Sequence, residues 1–483
     1  MKKSLFMAAL VAAAMSSCTS DEALSPAQLQ NAEAEALGLE RVNLSLTTAA
    51  ASVTETRANA AGTGIGTGTV GGTTAGTNKF NFEDVYVLMM DLGTDGTWAN
   101  AGDYWSFSNC GGSLGEQFNN TFICRPLETE TNTELKYNDF TNGALKYYPL
   151  QKYNDFFGYY IDNAANDVDA NGNPVLYNGD GYEIRYDGTT ELKSYLWDGA
   201  QVVNDPQAAT PTPLRDLGEK IVLPFTIDGS QDIMVGKATN YPGPKRGFSG
   251  TTARADVIPL IQLKHMLTRF TFEIKSGDNS NATTQLAVDT ISIFSKSKGT
   301  LTVAAKNIAD FDIDNGEFDI NSLIEWDAVG NDPVEMYLTQ QDGAAPAADL
   351  ANGKPEQILL EEYAVGAKDT RSVVGDAFFV KPGENLYTIK LYLSQKAQTG
   401  TIDDDGDPLT PEVPVLATQW ADTDLDLVLP EDPQNPGVPV EFERAKSYHV
   451  VITVYGLHDI TVKAELEQWT DGEELNLSTE DED

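Results

Sequence analysis

The sequence predicts an all-β protein, and three observations point there. Short runs rich in aromatic and β-branched residues recur from Lys79 onward, each bounded by Gly, Asn, Asp or Pro. Within several of them apolar and polar residues alternate, the period-two mark of a half-buried strand. After Gly38 there is almost no helical periodicity. Many short strands with loop punctuation predict antiparallel sandwiches.

The elements follow in order. Met1 to Cys18 carries Lys2 and Lys3, an apolar run from Leu5 to Met15, and small Ser16 and Ser17 before Cys18. That layout predicts a secretory signal too short to span a bilayer. The cysteine at its end resembles a lipoprotein junction, where Cys18 becomes the lipid-bearing residue; an ordinary signal with a coincidental cysteine is the plain alternative. Residues 19–38, rich in Ala, Gln and Glu, read as a helix or a tether. Val42, Leu44 and Leu46 then alternate with Asn43, Ser45 and Thr47 as a strand. Beyond Arg57 the stretch Ala61–Thr77 is dense in glycine, the composition of an exposed flexible linker. An arginine between a strand and such a linker reads as an accessible cleavage site, with a plain linker residue as the alternative.

The strands that follow are FNFEDVYVLMMDL, YNDFFGYYID, KIVLPFTI, HMLTRFTFEIK, AVDTISIFS and GTLTVAA. In HMLTRFTFEIK, Phe270, Phe272 and Ile274 share a face, with Arg269, Thr271, Glu273 and Lys275 on the other. The later half continues with VEMYLTQ, AFFVKPG, LYTIKLYLS, DLDLVLP, SYHVVITVYG and DITVKAELEQW. Asp-rich residues 307–321 mark either a division between two domains or a hairpin at Asp314-Asn315-Gly316. Ile460, Val462, Ala464 and Leu466 alternate on one face, either as a strand to be donated or as the hairpin partner of Tyr448–Val454.

Composition limits function. With 73 acidic and 32 basic residues the formal charge is -41, so little is available to neutralise phosphates, and nucleic acid is excluded as a partner. Three histidines, scattered along the chain, make a histidine-based metal or catalytic centre a poor reading. Cys110 and Cys124 form one bridge or remain two thiols. Two stretches copy part of a calcium loop: Asp167, Asp169 and Asn171, with Asn178 in the terminal place, and Asp403, Asp405 and Glu412, with Thr401 in the first. Asp/Asn/Gly turns explain both without a metal, so no cofactor is expected. Gly111–Gly115 matches GxSxG, but neither a following helix nor a partner histidine is evident, and the expectation is no enzyme.

Landmarks in order resemble the fimbrillins of Bacteroidia, including the Mfa-like branch: LKYYPLQKYNDFFGYYID, QDIMVGKA, IPLIQLKHMLTRFTFEI, AVDTISIFSKSKGTLTV, and FERAKSYHVVITVYGLHDITVKAELEQWTDG near the end. Within these, His265, Leu267, Lys446, Tyr448 and Trp469 stand at the family's marks. The resemblance implies two antiparallel β-sandwich (transthyretin-like) domains in tandem with a removable N-terminal strand. It implies a signal over 1–18, a propeptide with that strand over 19–57, a linker over 58–78, and sandwich domains over 79–318 and 319–483. It also implies a precursor anchored by lipid in the outer membrane and a trypsin-like, arginine-specific protease. On this sequence cleavage falls after Arg57, with Arg41 as the rival, and Val42, Leu44 and Leu46 are the pegs that are removed. A strand from another subunit, in a homopolymer or a mixed filament, then completes the domain, and Ile460–Leu466 is the candidate donor. The implied product is a cell-surface fimbrium supporting adhesion to a host or bacterial ligand that the sequence does not name. A monomeric surface lipoprotein that binds glycans is the alternative.

Overall fold

The computed structural model describes residues 26–48, 85–92, 106–107, 122–124, 133–137, 145–150, 152–162, 164, 168, 174–178, 182–186, 192–197, 202–203, 220–238, 247–278, 286–305, 323–328, 332–338, 363–400, 415–429, 437–456 and 460–467. Over these residues the protein is almost entirely β. Among the described residues helix is confined to α1 (Pro26–Ala36) and α2 (Gly250–Arg254). No helix among the described residues is long and apolar enough to cross a membrane.

The described strands form four sheets. The first runs β5 (Thr133–Glu134), β1 (Asn43–Thr48), β14 (Leu260–His265), β13 (Met234–Lys237), β7 (Asn154–Tyr160), β2 (Val85–Asp91), β4 (Phe122–Cys124), β6 (Lys136–Tyr137). Strand β3 (Ser106–Phe107) also pairs with β2. The second runs β11 (Val202–Val203), β10 (Leu192–Trp197), β9 (Tyr182–Tyr186), β8 (Tyr177–Asn178), β12 (Lys220–Thr226), β17 (Lys298–Ala305), β18 (Ile324–Trp326). The third is β21 (Arg371–Val380), β15 (Thr268–Ser276), β24 (Ser447–Val454), β25 (Ile460–Glu467). The fourth is β19 (Val334–Tyr337), β16 (Leu286–Ser295), β22 (Tyr387–Gly400), β23 (Val415–Leu427), with β20 (Tyr363–Ala364) on β16. The pairings are antiparallel except β1 with β14 and β15 with β24.

Within the first sheet, strand parity sorts the side chains between two cores. In β2, Leu88 and Met90 enter the main core, while Val85, Val87 and Met89 enter a second one. In β7, Phe157 and Tyr159 join the first and Phe156 and Tyr160 the second. The first sheet is therefore apolar on both faces. One face shares the main core with Ile221, Leu223 and Phe225 of β12 and with strands of the third and fourth sheets. The other face encloses the second core, to which β1, itself a strand of this sheet, contributes its apolar residues together with Leu135, Tyr148 and Phe248. Gly158 makes room for this arrangement, since a Cβ there would sit 3.2 Å from Ile261 Cγ2 and 3.4 Å from Leu263 Cδ2.

Two expectations change on meeting the structure. The single run HMLTRFTFEIK is divided, His265 ending β14 in the first sheet and Thr268 opening β15 in the third. The expected domain division at 318/319 does not coincide with a change of sheet. Strands β15 and β16 precede it yet pair with β21, β24, β19, β20 and β22, which follow it. The Asp-rich stretch 307–321 marked that boundary, but a local change of composition says nothing of backbone pairing, which joins segments far apart in the chain.

Candidate functional site

The N-terminal segment builds the site. Helix α1 starts at Pro26, a residue suited to the first helical position because its missing N–H has no partner there to lose. It stops in a Schellman motif. The Gly38 N–H donates to the Glu35 carbonyl at 2.9 Å, and the Leu39 N–H to the Ala34 carbonyl at 3.1 Å. Gly38 adopts φ +68°, a left-handed conformation that glycine takes without steric cost. Asn31 ties the helix to the body by accepting from the Leu145 N–H at 3.0 Å.

Beyond that turn the chain enters β1. Val42, Leu44 and Leu46 are 1%, 0% and 3% exposed, whereas Asn43 and Ser45 are only half-buried, as the period-two pattern requires. The three apolar side chains pack with Leu135, Tyr148, Ile261 and Leu263. Both backbone edges of the segment are occupied. On one side β1 runs parallel to β14, with Leu46 opposite Ile261 and Thr48 opposite Leu263. On the other, Leu44 opposes Thr133 and Asn43 opposes Glu134, and the Leu135 N–H donates to the Val42 carbonyl at 3.0 Å. The Val42 N–H in turn donates to the Lys146 carbonyl at 2.9 Å.

A charged clasp stands where the segment enters the groove. The Arg41 guanidinium bridges Glu35 of the helix side and Glu134 of β5, the latter at 3.0 Å. Its hydrogen bond to Glu35 raises the guanidinium's already high pKa, and the same bond with the arginine's charge lowers the Glu35 carboxyl. Arg41 also forms a backbone bridge with Tyr147. Burial, reinforced by the Glu35 charge, raises the Tyr147 phenol. Glu40 extends the clasp to α2, accepting from Arg254 Nε at 2.8 Å. A capping box between Ser249 and Thr252 sets the start of that short helix.

At the far end of β14, buried His265 lies 2.6 Å through Nδ1 from buried Asp232, near the start of β13. Asp162 follows β7 in a turn at φ +43°. Burial pushes its carboxyl up to about 7, and the charges of Asp232 and Asp228 add to the effect, against hydrogen bonds from Tyr160 and the Asp232 backbone. Both Asp232 and His265 stood in the landmark segments, yet their separation hid the pair.

The other sequence-derived positions are distributed as follows. Ile460, Val462, Ala464 and Leu466 lie on β25, and β25 pairs along its length with β24, from Val454 opposite Ile460 to Ser447 opposite Glu467. The hairpin alternative is the arrangement found, and Ile460 packs on the main core. Cys124 lies in β4, while Cys110, Cys18 and Arg57 lie outside the described residues, as do Asp167, Asp169, Asn171, Asp403, Asp405, Glu412 and the GxSxG stretch. Among the described residues no group of three His, Cys, Asp or Glu side chains has a metal-binding arrangement. Glu35, Glu134 and Arg254 were not anticipated. An arginine immediately ahead of an alternating strand was the available signal, but its partners lie across the fold.

No family model and no curated protein matches the chain. Among solved structures it is similar to a fimbrial protein from Bacteroides vulgatus, at 11% identity over 80% of this chain and 93% of that one, with a TM-score of 0.38. It is also similar to a candidate cell adhesion protein from Bacteroides uniformis, at 13% identity over 89% of this chain and 98% of that one, with a TM-score of 0.34. A third likeness is to the fimbrial anchor protein Mfa2 from Porphyromonas gingivalis, at 10% identity over 89% of this chain and 98% of that one, with a TM-score of 0.26.

Proposed function

We propose that this chain is a fimbrillin-type structural subunit of a cell-surface fimbrium, and that β1 is a temporary occupant of a groove intended for another subunit's strand. The observation carrying this reading is the state of β1 itself. Its three pegs are buried in a core assembled from distant strands, and its backbone is hydrogen-bonded on both sides. The only covalent route from β1 to β2 is the stretch from Ala49 to Asp84, which contains the glycine-rich run. Cutting that stretch leaves β1 attached by non-covalent contacts alone. Its departure opens the edge of β14, unpaired backbone groups and a row of apolar pockets that an added strand satisfies together. A head-to-tail contact of this kind that does not close builds a filament.

The geometry also bears on where cleavage acts. A protease binds its substrate as an extended, accessible segment. Arg41 is fastened by two carboxylates and by backbone bonds on both sides of the 41–42 peptide, and cutting there leaves the pegs in place. Arg57 lies after the strand, so cutting there frees it. In this reading the precursor is lipidated at Cys18, held in the outer membrane, and matured by an arginine-specific protease. Strand β25 stays with β24, and the chain performs no catalysis.

The N-terminus of the protein isolated from surface filaments tests this. Mature chains should begin at Ala58, and Arg57→Ala should leave unassembled precursor. Filaments built from chains that retain residues 42–46 would overturn the reading.

A further inference from the structure

The clasp at the groove mouth divides in two if β1 leaves. Glu35 and Arg41 belong to the departing segment, while Glu134 belongs to β5 and stays, together with Leu135 and Tyr147. In the present structure Glu134 holds a cation at 3.0 Å, on the residue directly before the first apolar peg. From this we infer that Glu134 is a specificity-determining residue: it selects an incoming strand that carries Lys or Arg immediately before its first peg, supplied by a protein other than a second copy of this chain. The inference rests on the strand-exchange reading and names the partner that reading leaves open.

The present occupant displays the chemistry that fits. It is an extended segment parallel to β14 with a cation, then apolar side chains at every second residue. Lys220–Phe225 and Arg269–Ile274 of this chain carry a cation followed by apolar residues at every second place, but both strands are already paired on each side within the fold, and the C-terminal segments fail the test. Residues 475–478, Leu-Asn-Leu-Ser, repeat the Val-Asn-Leu-Ser of 42–45 almost letter for letter. In that alignment, however, Glu474 takes the place of Arg41 and Thr479 the place of Leu46. A second copy would bring a carboxylate against Glu134 and leave the third pocket without a peg, and like charges across strands are destabilising. Lys463 supplies a cation, but behind it come only Ala464 and Leu466, with Gln468 at the third place, and its strand is already paired with β24. The strongly acidic balance of the chain, -41 over the full sequence, adds long-range repulsion to self-exchange. A basic residue on a foreign strand meets none of these objections.

The test uses the full chain with a site-specific protease site inserted in the glycine-rich stretch. After cutting, fluorescent peptides compete for the groove: residues 41–48, the same peptide with Arg41→Glu, and residues 474–481. The wild-type protein should favour the Arg41 peptide roughly three- to tenfold over its Arg41→Glu form, from the combined gain of an opposite-charge pair and loss from a like-charge pair. It should take up the 474–481 peptide least. The preference should narrow as salt is raised, because the pair is partly exposed. Glu134→Gln should erase the preference and Glu134→Lys should invert it, and as the Glu134 side chain is 40% exposed both variants keep a buried core intact. An unchanged ratio in both variants overturns the inference while leaving strand exchange standing. Failure of every peptide to enter any of the cut proteins overturns strand exchange, and the inference with it.

Discussion

Truncating Leu44 to alanine isolates what β1 contributes. The leucine is fully buried among Val42, Leu46, Leu135, Ile261 and Leu263. The change removes three carbons, about 2.4 kcal/mol at ~0.8 kcal/mol per buried methylene. A cavity adds to this, because strands fastened on both sides collapse poorly around a void, and comparable truncations reach ~5 kcal/mol. The loss should be local. Leu44 belongs to the second core, and none of the residues of β15 or β24 does. Native-state hydrogen exchange on the full chain measures this directly, because it reports opening free energies strand by strand. Amides of β1 and β14 should lose roughly 2–5 kcal/mol of protection, while β15 and β24 keep theirs. A loss below about 1 kcal/mol, or an equal loss at β15, would refute the picture of a separate groove closed by exchangeable pegs.

Two further outcomes follow from individual residues. Asp162 has its carboxyl raised to about 7, so the folded protein retains a proton that the unfolded chain has already released. Stability is then full below the ordinary carboxylate range and declines as pH rises toward 7, by at most about 1.4 kcal/mol per pH unit. Asp162→Asn, tolerated at a left-handed φ, should flatten that slope in denaturant titrations and be the more stable protein at pH 8; superimposable profiles would rule the burial argument out. Gly38→Ala meets no steric neighbour but forces alanine into φ +68°. It should cost about 1 kcal/mol, appearing as faster exchange at the end of α1, and unaltered exchange there would count against the Schellman cap.

Parity was the most legible property of the sequence. Val42, Leu44 and Leu46 alternate in burial as their pattern requires, and Phe270, Phe272 and Ile274 point into the core together. Parity says which way a side chain faces, and nothing about which strand lies alongside. Arg269, read as the outer face of its strand, is buried too, since β24 lies beside β15 and Ser447 accepts a hydrogen bond from its guanidinium at 2.7 Å. Likewise nothing local announced that β1 would lie parallel to β14, or that β5 would close its other edge. The clasp was hidden for the same reason: Glu35 and Arg41 are neighbours in sequence, but Glu134 arrives through strand pairing alone. Helix α1 was ambiguous because its composition suits both a helix and a tether, and the tertiary bond from Asn31 to Leu145 settles it.

The parallel pairing of β1 with β14 carries a consequence for the order of events during synthesis. Leu46 and Ile261 stand opposite each other although more than two hundred residues separate them. That early strand must therefore wait until a little over half of the chain has been translated, and contacts of such sequence separation form slowly. The last residue of the second core is Leu263, whereas the main core draws on strands through Val454, so β1 can seal its groove while later strands of the main core are still to come.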